Sequence, residues 1–94
     1  MIVRYTVQAL ADSEEAFGYI AQDRPAAARE VGQRIRNAIN GLASLPNVGR
    51  PGRVSGTREL MVPPFVIAYR VSGEYVDVLA ILHGARLWPS GFGG

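Results

Sequence analysis

The chain contains no cysteine, which excludes a disulfide framework, a thiolate metal site and a thiol nucleophile. It contains no lysine either, because its ten basic residues are all arginine. Histidine occurs once, as His83, and tryptophan once, as Trp88. One histidine without cysteine cannot build the usual structural or catalytic zinc sites, and no metal or cofactor is expected. No apolar run approaches the roughly 20 residues that span a bilayer; the best candidate, "VDVLAIL", has the length of a strand. The opening "MIVRYTVQ" lacks the basic stretch and apolar core of a signal peptide. A cytoplasmic protein with no membrane partner is the expectation. Phosphate-cradling glycine loops with lysine, HExxH, EF-hand loops and nucleophile elbows are all missing. The acidic residues are scattered, with none of the close pairing that carboxylate catalysis needs.

What is present is arginine, unevenly matched. From Asn47 onward five arginines stand against three acidic residues, although the net charge is only +2. Arginine's planar fork suits phosphates and carboxylates, so the basic C-terminal half points to an anionic partner.

The 94 residues suffice for one domain with its own core. "MIVRYTV" alternates β-branched and aromatic residues and predicts a strand over Ile2 to Val7. "QALADSEEAFGYIAQD" follows with helical spacing, Leu10, Phe17, Ile20 and Ala21 on one face and Asp12, Glu15 and Gln22 elsewhere. Pro25 suits the first turn of a second helix, where its missing N–H has no partner to lose. Ala28, Val31, Ile35, Ala38, Ile39 and Leu42 then form one apolar stripe, and the helix stops before Pro46. "PNVGRPGRVSG" is a glycine- and proline-rich loop. Three strands follow: "TRELMV", "FVIAYRV" and "EYVDVLAIL". Pro63 and Pro64 separate the first two, and a two-residue turn at Ser72 and Gly73 joins the last two. In the last strand, strict alternation puts Val76, Val78, Ala80 and Leu82 on one face and Tyr75, Asp77, Leu79, Ile81 and His83 on the other. Apolar residues on both faces mark it as central.

The order β-α-α-β-β-β predicts an α+β domain in which a two-helix hairpin packs on one face of a small antiparallel sheet. It occupies residues 1–90, with a flexible end at 91–94.

The residues able to carry chemistry are His83 and arginines. His83 and Arg86 lie close in sequence. A histidine near neutrality can move a proton and an arginine can hold a phosphate oxygen. The competing structural reading is that His83 ends the strand and Arg86 pairs with a carboxylate such as Glu59 or Glu74. Arg58 falls near the start of its strand and His83 near the end of another running the same way, so the two sit at opposite ends of the sheet. Arg50 and Arg53 belong to the loop, and Arg70 ends a strand.

Four segments carry a family resemblance: "YTVQALADSEEAFGYIAQDRPAAARE", "LPNVGRPGRVSGTREL", "AYRVSGEYVDVLAILHGAR" and the trailing "WP". In this order, covering nearly the whole chain, they resemble the RelE/ParE superfamily of toxins of type II toxin–antitoxin systems. The resemblance implies the hairpin-on-sheet fold, growth inhibition unless neutralised, and a cognate antitoxin as partner in a hetero-oligomer. The antitoxin's extended or helical segment would wrap exposed apolar and basic surface. It implies one of two targets. RelE-like members are ribosome-dependent mRNA endonucleases, and in that case His83, Arg58 and Arg86 would be the catalytic residues. ParE-like members poison DNA gyrase and cleave nothing themselves. Arg50, Arg53 and Arg70 are the expected target- or phosphate-binding residues. The lysines and the C-terminal tyrosine of the best-known nuclease branch are absent here, where Leu87 and Trp88 follow Arg86. The expectation therefore leans to the ParE-like side.

Overall fold

In the computed structural model, which describes residues 1–84, the chain runs β1 (Ile2–Tyr5), α1 (Val7–Asp23), α2 (Pro25–Gly41), β2 (Arg50–Pro51), β3 (Arg58–Val62), β4 (Phe65–Ser72) and β5 (Tyr75–His83). The expected class and order are present, with the two-residue β2 added inside the glycine- and proline-rich loop. Arg86 and the 91–94 end lie outside the described residues. No helix among those described is long and apolar enough to cross a membrane.

The sheet order is β1-β5-β4-β3-β2. The strands from β2 to β5 form an antiparallel meander. β1 joins its far side parallel to β5, Ile2 opposite Tyr75 and Tyr5 opposite Val78, so the sheet is mixed. Parallel neighbours need a long connection, which the helices and the meander supply.

β1 stops two residues earlier than alternation predicts, and Thr6 is the cause. Its hydroxyl accepts from the Ala9 N–H at 3.1 Å, capping α1, and donates to the Leu79 carbonyl at 3.1 Å. One side chain thus starts the helix and ties it to the central strand.

The α2 stripe is buried as its spacing predicts. Ala28, Ile35, Ile39 and Leu42 are buried, and Val31 and Ala38 pack partly against the core. Burying a side chain such as Ile39 or Leu42 stabilises by about 1.5–3 kcal/mol. Helix α1 sits differently from expectation. Ala9, Ala16 and Ile20 face the core, whereas Leu10 and Phe17 are about half exposed. Asp12 explains the rotation: its Oδ2 accepts from the Ile81 N–H at 2.9 Å. Beyond Tyr5, β5 has no strand neighbour on that side among the described residues, and the N-cap Thr6 and Asp12 of α1 cover this edge in place of the helix's largest apolar residues.

β5 breaks its own alternation. Tyr69 pairs with Val78 and Ala68 with Ala80, leaving Leu79 as a bulge. The extra residue exchanges the faces. Val78 and Ile81 pack together with α1 and α2, while Ala80 and Leu82 join Val66 and Ala68 on the opposite face. The hairpin between β4 and β5 closes one residue later than expected, at Gly73 and Glu74 between the paired Ser72 and Tyr75. Gly73 takes φ +58° there, which glycine adopts without steric cost.

Candidate functional site

The meander distributes the arginines over two faces. Cross-strand partners point to the same side, so the pairs Arg50–Glu59, Glu59–Ala68, Arg70–Asp77 and Asp77–Arg4 place one charged surface on the face away from the helices. Arg58 pairs with Tyr69 and His83 with Phe65, which puts both on the helix side.

Glu59 organises one end of the charged face. Its side chain is only 2% exposed, yet both carboxylate oxygens are satisfied. Arg53 donates from its backbone N–H (2.9 Å), Nε (3.0 Å) and Nη2 (3.3 Å). Arg50 donates from Nη2 at 3.2 Å. Burial alone would raise the carboxyl pKa. The hydrogen bonds from the Arg53 side chain and backbone and from Arg50 outweigh it and hold the group down at about 2. Arg50 and Arg53, expected to contact a target, are thus brought together on an internal carboxylate. Arg50 keeps 59% of its side chain exposed.

At the other end, Arg4 grips Asp77 with two bonds, 2.7 and 3.1 Å, and lies 3.7 Å over the Tyr75 ring. Asp77 is also the strand partner of Arg70. With both carboxylate oxygens bonded by Arg4, Arg70 is exposed and has no ion-pair partner among the described residues.

Of the three residues expected for nuclease chemistry, Arg58 and His83 do not meet. Arg58 Nη1 donates to the carbonyls of Gly49 at 2.7 Å and Asn47 at 3.3 Å, holding the loop that follows α2. The His83 ring packs 5.3 Å from the Phe65 ring at 59°. Arg58 and His83 are four register steps apart, about 13 Å along the strands, and two strands apart across the sheet. The opposite-ends reading therefore holds. Arg86 lies outside the described residues.

Sequence reasoning missed a concavity of about 300 Å³ between the helices and the sheet. Tyr5, Phe17, Ile20, Val31, Ile35 and Arg36 contribute to its lining. Burial lifts the Tyr5 phenol pKa, and Arg36 pulls it the other way. The half-exposed Phe17 was the available signal, but its helical spacing read as core.

Comparison with known proteins places the chain among toxins of toxin–antitoxin systems. A family model described as the ParE toxin of the type II toxin–antitoxin system parDE matches residues 3–88. Y4kP of Sinorhizobium fredii is 42% identical over 89 residues, covering 93% of this chain and 92% of that protein. Toxin RelE2 of Caulobacter vibrioides is 38% identical over 85 residues, covering 90% and 97%. A solved chromosomal ParDE toxin–antitoxin structure from P. aeruginosa superposes with a TM-score of 0.80 at 27% identity, covering 89% of this chain and 96% of that one.

Proposed function

The chain belongs to the ParE toxin family of type II toxin–antitoxin systems, and from that membership we propose that it is a ParE-like poison of DNA gyrase that acts by binding. It is a toxin, and its partner is an antitoxin that neutralises it in a hetero-oligomer. The observation that carries the binding reading is the separation of Arg58 from His83. Cleavage by a ribose hydroxyl needs a proton acceptor, a proton donor and a cation around one phosphate. Arg58 is instead bonded to two loop carbonyls, about 13 Å along the sheet from His83. The superposition on the P. aeruginosa ParDE structure supports the same side. We assign contact with an acidic surface of the target to Arg70, helped by the exposed part of Arg50. Arg53 holds Glu59 and keeps 35% of its side chain exposed.

Expression of the His83→Ala variant without antitoxin tests the absence of a catalytic histidine. Growth arrest equal to that of the wild type is expected, since His83 packs on Phe65 at the end of β5. Loss of toxicity in a variant that keeps its melting temperature would overturn the binding reading. The second reading, a ribosome-dependent mRNA endonuclease, is favoured by the likeness to toxin RelE2. Codon-positioned mRNA cuts that vanish in His83→Ala would establish it.

A further inference from the structure

Helix α1 carries a surface that the fold leaves unused. Thr6 and Asp12 turn the helix so that Ala9, Ala16 and Ile20 face the core, and three large apolar residues remain outside. Val7 is 85% exposed, and Leu10 and Phe17 are about half exposed. A lone exposed apolar side chain needs no account, but a row of them marks an interaction surface. Val7, Leu10, Glu14, Phe17 and Ala21 are spaced 3, 4, 3 and 4 residues apart, the spacing of a seam along which two helices pack.

Gly18 lies beside that seam. Its backbone is ordinary helix, and nothing stands within 4 Å of the Cβ that another residue would bring. Glycine is the poorest helix former after proline, and no contact or turn among the described residues calls for it here. A helix passing close over the outside of α1 does call for it, because a missing side chain lets two backbones approach. Ala11, also exposed, leaves similar room two turns earlier.

The seam complements itself. When two copies of α1 cross antiparallel about a two-fold axis at Glu14, residues equally far from Glu14 on either side meet. Leu10 then faces Gly18, Phe17 faces Ala11 and Val7 faces Ala21, each pair occurring twice. Every large side chain meets a small one, the arrangement in which facing helices interdigitate. The one like-charge contact is Glu14 with its own equivalent on the axis. Arg36 lines the same concavity as Glu14 and Phe17, and neither Glu14 nor Arg36 belongs to an ion pair among the described residues. A cation therefore stands near each carboxylate to offset the repulsion.

We propose that this face of α1 is where the free toxin associates with a second copy of itself, as a two-fold dimer centred on Glu14. One helix face a side is small beside the roughly 20–30 residues a side of a standard interface, so the dimer is weak and forms at micromolar concentrations or above. The proposal goes beyond the gyrase reading and does not depend on it.

The lack of native cysteine makes a direct test available on the full chain, purified free of antitoxin. Glu14→Cys puts two thiols on the axis, close enough for a disulfide to span. Under mild oxidation this variant should form a covalent dimer at least about tenfold faster than Glu15→Cys, whose exposed side chain leaves the helix away from the seam. Equal rates would overturn the proposal. In sedimentation velocity the wild-type chain should pass from monomer to dimer as its concentration is raised. Gly18→Arg should weaken that dimer at least about tenfold without lowering the melting temperature, since arginine is the better helix former and meets open space. A wild type that stays monomeric throughout, or a Gly18→Arg variant that dimerises as tightly as the wild type, would overturn the proposal. A Glu14→Cys thiol shielded from a thiol reagent by added antitoxin, but never by a second copy, would assign the face to the antitoxin and likewise overturn it.

Discussion

Replacing Glu59 with glutamine removes about 3 kcal/mol of pH dependence from the folding free energy between pH 5 and pH 2. The group has a folded pKa of about 2 against an ordinary value of 4.5. A carboxyl depressed by folding binds its proton more readily in the unfolded chain. Its stabilisation is therefore complete above about pH 4.5 and is lost as the pH falls toward 2. At about 1.4 kcal/mol per pH unit, the interval corresponds to about 3 kcal/mol. This is an upper figure, because Arg50 is more than half exposed and water weakens its share. The other carboxyl groups titrate in both proteins, so the difference between the two curves isolates Glu59. The change also lowers stability at neutral pH. Glutamine offers one acceptor oxygen where four donor contacts now converge, and the Arg53 backbone N–H competes for it. Urea unfolding of both proteins from pH 7 to pH 2 measures the effect. Parallel curves would show that the clasp contributes nothing.

The second large effect is expected at Gly49, where alanine should destabilise the fold by about 1–3 kcal/mol through overpacking. A Cβ there would stand 2.7 Å from the Tyr69 hydroxyl and 2.9 Å from the Glu59 carbonyl oxygen. Neither can step aside. Tyr69 is fully buried, and its hydroxyl accepts from the Gly49 N–H at 2.9 Å. Glu59 is fixed by β3 and by its arginines. The same glycine's carbonyl accepts from Arg58, so displacement of the loop also releases that guanidinium. Thermal unfolding of Gly49→Ala beside Gly41→Ala isolates the effect of overpacking. The Gly41 site has nothing within 4 Å of an added Cβ, so its alanine variant should be neutral or stabilising. A Gly49→Ala variant as stable as Gly41→Ala would contradict the close approach of loop and sheet.

Much of the fold was legible because local patterns and tertiary packing agree over most of the chain. The α2 stripe from Ala28 to Leu42 repeats often enough to fix its buried face, and Pro25 and Pro46 bracket it. The strands of the meander are separated by Pro63–Pro64 and Gly73, residues that punctuate in any context. Two of the places where the reading departs share one cause: a single long-range hydrogen bond overrides a short pattern. Thr6 reads as a strand residue until Leu79 is beside it. Leu10 and Phe17 read as core until Asp12 reaches the Ile81 amide and turns α1 around. Leu79 reads as one more alternating residue, and no nearby glycine marks the bulge.

The site was legible in composition and less so in arrangement. The arginines of the C-terminal half stand out in composition, and spacing alone placed Arg58 and His83 at opposite ends of the sheet. Glu59 is named in the sequence reading as a partner for Arg86, and not as the organiser of Arg50 and Arg53. In "TRELMV" it alternates with apolar residues and reads as solvent-facing. Its burial depends on Arg50 and Arg53 folding back from a loop whose path no periodicity encodes. The concavity beside Tyr5 forms mostly between the two consecutive helices, and its shape depends on how α1 is turned, which no local pattern encodes.

We propose that this toxin acts by engaging gyrase and not by cutting RNA. The most direct measurement adds the purified toxin to DNA gyrase and supercoiling substrate, with a translating extract run in parallel. Gyrase-dependent DNA cleavage or lost supercoiling, reversed by the antitoxin, with mRNA left intact, is the expected result. Unaffected gyrase together with mRNA cut at codon positions would contradict it.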